Sequence, residues 1–513
     1  MRPAPAHPPL SGTALGLLTL VMPLATFMQV LDATIANVAV PTIAGNLGSS
    51  YSQGTWIITS YSVANAIVLP LTGGLAQRFG EVRLFLASTF LFSLTSLLCG
   101  LSTDLSVLVA FRVLQGALGG PMMPLAQSLL LNNYPRERQV MAMALWSTTV
   151  SIAPVFGPIL GGYISDNYHW GWIFFINVPV GVIVLFLSGR LLAERETQTS
   201  KPPWSAVSFG LLALGVGALQ MMLDRGKELD WFNSNEIITL AVAAVVGLTF
   251  LIIWEKRTPH PLLDLSLFNQ RNFTIGVILI SLGMMIYIGT VVLLPLLLQT
   301  RYGYTAAWAG LATAPIGLLP VLLGPLVGKY GHKIDRRVII SFGFLVFALC
   351  MQLRTNFTPN MDIWFVVWPQ VLQGLALVCF FIPIIALTFT GLPPEKMARA
   401  SGLVNCIRTL FIAIGTSVVT TLWERREAWH HVRLSGLLDP YNPLANQALD
   451  QMTSQGLSLD QAHFILARQV TTQGYILAAT EIYHLCALAF LFLIVLVWLA
   501  RPAKASSVRA AIE

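Results

Sequence analysis

The sequence predicts an all-α membrane protein of fourteen spanning helices, built as two six-helix halves with an inserted helix pair between them. Three observations lead there. Only 10% of the 513 residues are charged, 55% are hydrophobic, and the mean hydropathy is +0.71. A soluble domain carries about a quarter charged residues, and its surface needs polar cover that this chain lacks. The apolar residues form fourteen continuous runs. Each can cross roughly 30 Å of hydrocarbon with about 20 residues, and their continuity excludes an alternating membrane β-barrel. The chain also repeats itself at long range. These features exclude a soluble enzyme, a disordered chain and a nucleic-acid binder.

The runs lie near 14–40, 54–76, 84–102, 105–130, 140–165 and 171–192 in the first half, 205–223 and 236–254 in the inserted pair, and 273–299, 306–328, 338–353, 362–389, 398–422 and 475–500 in the second half. The expected units are therefore 1–192, 193–258 and 259–513, the last with an outer loop at 424–474. The first run is too long for a removable signal peptide, lacks a small-x-small cleavage site and contains Asp32. The repeat carries the division into halves. Val113-Leu114-Gln115-Gly116 recurs as Val371-Leu372-Gln373-Gly374 at an offset of 258, and Pro135, Glu137 and Gly157 meet Pro393, Glu395 and Gly415 at the same offset. Parallel six-helix repeats are a transporter architecture with the substrate cavity between them. The inserted pair has no counterpart and is expected outside that cavity.

Of the 30 Lys and Arg, twenty lie at the termini or in gaps sharing a face with them, among them Arg78, Arg83, Lys256, Lys396 and Arg399. Eight, including Arg354, Arg425, Arg426 and Arg433, lie in the other gaps, and Arg112 and Arg408 lie inside spans. Positive charge collects in the cytoplasm, so both termini are expected there. Five cysteines scattered through apolar runs read as small core residues. No disulfide framework, metal site or cofactor is expected.

Four motifs share one pattern. The gap after the second span reads Gly73-x-Leu75-Ala76-Gln77-Arg78-x-Gly80, then Glu81-Val82-Arg83. The fourth span holds Arg112-x-x-Gln115-Gly116 and the fifth Gly157-Pro158-x-x-Gly161-Gly162. The first span reads from Leu31-Asp32-Ala33-Thr34 to Pro41. These resemble the major facilitator superfamily, specifically its fourteen-span drug:proton antiporters. The stretch Trp170-Gly171-Trp172-Ile173-Phe174-Phe175-Ile176-Asn177-Val178-Pro179 is similar to the EmrB-type branch. The resemblance covers nearly the whole chain. It implies a multi-pass protein of the bacterial inner membrane that exports hydrophobic or amphipathic toxic compounds, with the proton gradient as its energy source. It also implies a periplasmic membrane-fusion adaptor and an outer-membrane channel as partners.

In that family the Gly157-Pro158-x-x-Gly161-Gly162 motif marks exporters and is expected to seal one end of the cavity. Proline bends the helix, and Gly157 with Gly161 form a GxxxG face for close helix contact. The second half has Gly415 but no second glycine in register, so the device is expected on one side only. The loop motif departs from the family. Its usual acidic residue is Gln77, and Glu81-Val82 replace the usual basic pair after Gly80. A gate loop of Gly73, Arg78, Gly80 and Arg83 is thus expected to latch weakly, or through Glu81, or to set topology alone.

Ionisable groups at membrane depth cost about 3 kcal/mol and usually face a cavity. Asp32 lies roughly 12 Å and Arg112 roughly 10 Å from the outer ends of their spans, at about 1.5 Å per residue. Burial raises a carboxylate's affinity for protons and a nearby guanidinium lowers it, so Asp32 and Arg112 are the expected proton-coupling pair. Gln29, Asn37, Gln115, Asn405 and Arg408 are the expected polar lining of the substrate cavity. Arg408 would tune the proton site or bind an anionic headgroup. Met284, Met285, Tyr287 and Phe380 suit promiscuous binding or plain packing, and Glu481 reads as interfacial. The outer loop, in which Leu459 to Gln469 has the pattern of an amphipathic helix, is a solvated tether or a docking surface, with Arg425, Arg426, His430, His431 and Arg433 at one edge. Absence of HExxH, paired catalytic carboxylates and a Walker lysine argues against an enzyme or ATP-driven pump. An exporter of fatty acids or other antimicrobial lipids is the alternative on the same scaffold.

Overall fold

The computed structural model describes residues 8–135, 138–200, 205–258, 261–331, 334–359, 361–436, 438–439 and 441–502. Among the described residues thirteen helices are long and apolar enough to cross a membrane, and a further 29-residue helix, Gln139–Asn167, stands where the fifth span is expected. In chain order they are α1 (Gly12–Asn46), α2 (Trp56–Phe79), α3 (Glu81–Gly100), α4 (Leu105–Asn133), α5 (Gln139–Asn167), α6 (Trp172–Leu192) and α7 (Ala206–Arg225). They continue as α8 (Asn235–Arg257), α9 (Arg271–Arg301), α10 (Trp308–Gly328), α11 (Arg336–Arg354), α12 (Ile363–Thr388), α13 (Lys396–Ser435) and α14 (Leu459–Val497). Below, "inner" means the face bearing the start of α1, which the charge count places toward the cytoplasm.

Proline and glycine shape these helices. α2 tightens into a 3-10 turn at Leu69–Leu71 around Pro70, and α10 does the same at Ala314–Gly317 around Pro315, because proline removes a backbone donor and crowds the preceding turn. α4 is interrupted at Gly120 and Pro121. Gly80 joins α2 to α3 at φ +93°, a region that only glycine enters freely.

Close glycine contacts bind α1 to α5. A side chain at Gly157 would collide with Thr34, and one at Gly161 would meet the Ile35 carbonyl. Gly162 is also buried; the side chain of Pro158 lies outside the described set, as do Glu137 and the Glu395 side chain. The expectation of a one-sided device is corrected. In the second six-helix set Gly415 of α13 lies against the Met285 backbone of α9. At the next position Val419 of α13 packs onto Gly289 of α9. The small residue has moved to the partner helix, and close approach is kept.

The inserted helices lie against each other through Gly215 and Gly247. α7 touches both helix sets. Leu212 and Val216 pack with Ala66 and Leu71 of α2, while Ser417 of α13 donates to the Leu223 carbonyl at 2.9 Å. α8 packs on α7 and turns Val242, Val245 and Phe250 outward. The segment 424–474 is not an irregular tether. α13 continues to Ser435, a short helix covers Pro443–Ser454, and α14 already begins at Leu459. Ser458 and Gln461 form a capping box there that satisfies the free backbone donors. Arg426 holds Glu481 by bonds of 2.6 and 2.9 Å, and His430 lies 3.1 Å from the same carboxylate.

Gly157→Leu should force α1 from α5 and destabilise the protein by about 1–3 kcal/mol, as overpacking does. Thermal unfolding in detergent measures this, with Gly16→Ala, which meets nothing within 4 Å, as the silent control.

Candidate functional site

Five helices converge on Asp32, which is fully buried. Arg112 of α4, also fully buried, donates from Nη1 to Asp32 Oδ2 at 2.6 Å. Gln115, one turn further along α4, donates to Oδ1 at 3.1 Å, and Asn177 of α6 donates to the same oxygen at 2.7 Å. Asn177 is itself held by Ser96 of α3, whose hydroxyl donates to the Phe174 carbonyl. The guanidinium has other anchors. Its Nε donates to the Ile57 carbonyl of α2 at 3.0 Å, Nη1 also donates to Gln115 Oε1 at 2.7 Å, and its carbon lies 4.2 Å from the Tyr61 ring centre. Its Nη2 is unpartnered among the described residues.

Such a site has two consequences. Charge-assisted bonds are the strong ones, so the ionised pair is well held. Removal of either charge leaves the other buried and uncompensated, at a cost of about 3–5 kcal/mol. Arg112, however, keeps the Ile57 carbonyl, Gln115 Oε1 and the Tyr61 face when Asp32 is neutral. Gln115 therefore belongs to the ion-pair site and not to a substrate lining. Asn177 and Ser96 were missed as site residues, although Asn177 is a lone amide in an aromatic run.

The second cluster is a polar seam between the two helix sets. Gln127 of α4 accepts from Ser401 at 2.5 Å and from Asn405 at 3.2 Å, both on α13. One turn outward, Arg408 is buried; its Nη2 lies 2.9 Å from the Met123 sulfur and its guanidinium carbon 6.0 Å from the Phe381 ring centre. Among the described residues no ion pair includes Arg408. Closer to the inner face, Gly73 lies against the Arg399 backbone, Gly402 against the Leu69 carbonyl, and Arg399 donates to Gln77. The seam is closed on the inner side.

Other expected residues fall elsewhere. Gln29 donates to the Gly119 carbonyl at 3.1 Å, next to the break in α4. Asn37 is exposed and apart from Asp32. Tyr287 and Phe380 sit in an aromatic core with Phe344, Phe347 and Phe490. Glu81 takes no part in a charge latch, because it is buried and accepts from Ser128 at 3.0 Å. Arg78 is exposed and the Arg83 side chain is 78% exposed. The carboxylate at this loop is Glu196, which accepts from the backbone of Val82 and Arg83 and fills the space beside Gly80. An open pocket of about 470 Å³ at the outer ends, lined by Asn46, Leu47, Gly100 and His169, contains none of these groups.

The chain matches the Major Facilitator Superfamily over residues 23–416.

The chain belongs to the major facilitator superfamily.

It is 55% identical over 495 residues to the multidrug export protein EmrB of Escherichia coli (strain K12), covering 96% of this chain and 97% of that protein. It is 52% identical to the fatty acid resistance protein FarB of Neisseria gonorrhoeae, covering 97% of this chain and 98% of that one. The fold is similar to the crystal structure of the human organic anion transporter MFSD10, with a TM-score of 0.58 at 12% identity over 95% of this chain and all of that one. The chain is thus a multi-pass membrane transporter of the EmrB/EmrY type.

The inner face carries a further ion pair, Lys396 with Asp264. Burial works to raise the Asp264 carboxyl, but the hydrogen bond from Ser266 and the Lys396 charge outweigh it and hold it below the usual range. A depressed carboxyl stabilises above its unfolded value and loses this only as pH falls through the folded one. Asp264→Asn should therefore leave the pH profile of transport unchanged between pH 5 and 8, measured as initial rates in liposomes. Asp32→Asn should lower the unfolding temperature by leaving Arg112 unpaired, and adding Arg112→Gln should recover most of the loss; a double variant no more stable than the single would show that the two charges do not compensate each other.

Proposed function

We propose that the chain is a proton-driven antiporter that exports hydrophobic or amphipathic toxic compounds, with Asp32 carrying the coupling proton. The observation that carries this reading is the solvent-free Asp32–Arg112 pair, set inside one helix set and beside a seam closed on its inner side. A proton arriving on Asp32 cancels the attraction to Arg112, and the guanidinium is then retained by Ile57, Gln115 and Tyr61. The donors Gln115 and Asn177 lose their best acceptor when the carboxylate is neutral. Packing around α1, α3, α4 and α6 then relaxes, and the units 1–192 and 259–513 rock about the seam, with 193–258 following. The gate residues Gly73 and Gly80 act by close packing, and Arg78 and Arg83 as positive charges on the cytoplasmic face. Both termini lie in the cytoplasm, and the location is the bacterial inner membrane.

The helical extension at 424–474 docks a periplasmic adaptor that leads to an outer-membrane channel. Its support is exposed apolar surface, with Tyr441, Leu444 and Phe464 at 91%, 74% and 70% exposure, since such surface marks contact sites. The basic edge is partly neutralised, because Arg426 is paired with Glu481.

A second reading, export of fatty acids or similar lipids, is favoured by Arg408. A buried guanidinium without a carboxylate suits an acidic headgroup, and the relative FarB is named for fatty acid resistance.

Purified protein in liposomes with an imposed pH gradient should accumulate a lipophilic dye, and Asp32→Asn should abolish gradient-driven uptake while folded protein persists. Unchanged uptake in that variant would move the proton site elsewhere. Arg408→Gln should reduce fatty acid transport about tenfold and dye transport far less, if the acid headgroup bonds this side chain. Deleting residues 440–456 should spare transport in liposomes and lower both adaptor capture and resistance in cells; loss of neither leaves the extension without a docking role.

A further inference from the structure

The second helix set holds a buried cation that the antiport reading does not use. Arg354, the last residue of α11, is 1% exposed. Charge counting by gaps placed it in an outer loop, but the side chain turns inward. Its Nη2 donates to Gln370 at 3.1 Å and to Gln373, and its carbon lies 5.5 Å from the ring centre of Tyr483 on α14. Among the described residues no ion pair includes Arg354. Three buried groups around it have no partner there: Arg354 Nε, Gln373 Nε2 and the Tyr483 hydroxyl. All three can donate.

The repeat shows what such a cluster lacks. Gln115 and Gln373 hold the same place in the repeated Val-Leu-Gln-Gly. In the first set the Gln115 amide donates to the Asp32 carboxylate, beside a guanidinium. In the second set the Gln373 amide lies beside a guanidinium with no acceptor. The first helices of the two sets stand at an offset of 251, as Gly157 against Thr34 and Gly415 against Met285 show, so the residue in register with Asp32 is Gly283, which has no side chain. The amide donor is kept, the cation comes from α11 because Gln370 stands in register with Arg112, and the anion is gone. A buried charge needs a counter-charge, and unmet donors at membrane depth are costly.

We propose that Arg354, Gln373 and Tyr483 form a binding site for a small monovalent anion, with chloride the abundant candidate, reached from the outer ends of α11 and α12. The surroundings set its size. Cys350 and Tyr483 are fully buried, and Phe357 packs edge-on to Tyr483, which leaves no room for the tail of a lipophilic acid.

The test is equilibrium binding of radioactive chloride to the purified full-length protein, with gluconate holding ionic strength constant. The wild type should bind about one chloride per chain, saturably. Tyr483→Phe should weaken binding about tenfold by removing one donor to a charged ligand. Gln373→Glu places a tethered carboxylate beside Arg354; it should abolish binding and make the unfolding temperature independent of chloride, whereas chloride should stabilise the wild type. Arg354→Gln should also abolish binding, and if it does not fold the other two variants decide. No saturable binding in the wild type would mean that water meets these donors and would overturn the site. Undiminished binding in Gln373→Glu and Tyr483→Phe would place chloride elsewhere and overturn it equally.

Discussion

A carboxylate and a guanidinium with no access to water must satisfy each other, and the first six helices are arranged to let them. Asp32 on α1 cannot be moved without leaving Arg112 on α4 as a bare charge. Neither helix can rotate without breaking the bonds to Ile57, Gln115 and Asn177. The glycine contacts of α1 with α5 and the polar seam of α4 with α13 therefore attach the ion pair to both the exporter motif and the opposite helix set. A change of charge at one oxygen thus acts on helices that meet across the interface between the two helix sets.

The two helix sets solve related problems with different residues. Close approach is kept in both, through Gly157 and Gly161 in one and Gly415 and Gly289 in the other. Helix contact needs a missing side chain at the crossing point and is indifferent to which helix lacks it. The polar cores have diverged further. One contains its own counter-ion, and the other keeps a cation among amides and a tyrosine. One side holds a buried ion pair and the other a buried cation without a carboxylate partner among the described residues.

Much of this was legible in the sequence because membrane burial is a compositional constraint. The spans, the 258-residue repeat, and the similar depth of Asp32 and Arg112 follow from apolar run length and helical rise. What escaped depends on side-chain direction. Arg354 ends a span, where counting cannot tell a snorkelling arginine from one that folds inward. Asn177 lies in an aromatic stretch that reads as packing until α3 and α6 are seen together. Glu81 looked like a spare charge for the latch, but a buried acid bonded to Ser128 cannot reach Arg78 or Arg83 from there. In the mixed-polarity 424–474 segment the helical pattern of Leu459 to Gln469 was legible, but the extension of α13 to Ser435 and the ion pair that ties it to α14 were not.

Proton release on substrate binding tests the central claim most directly. Purified protein in weakly buffered detergent solution, with a soluble pH dye, should release protons, up to one per chain, when a lipophilic dye substrate binds. Asp32→Asn should bind the substrate and release none. Proton release of unchanged size in Asp32→Asn would contradict the account, because the titrating group would then lie outside the buried pair on which the rest of the mechanism depends.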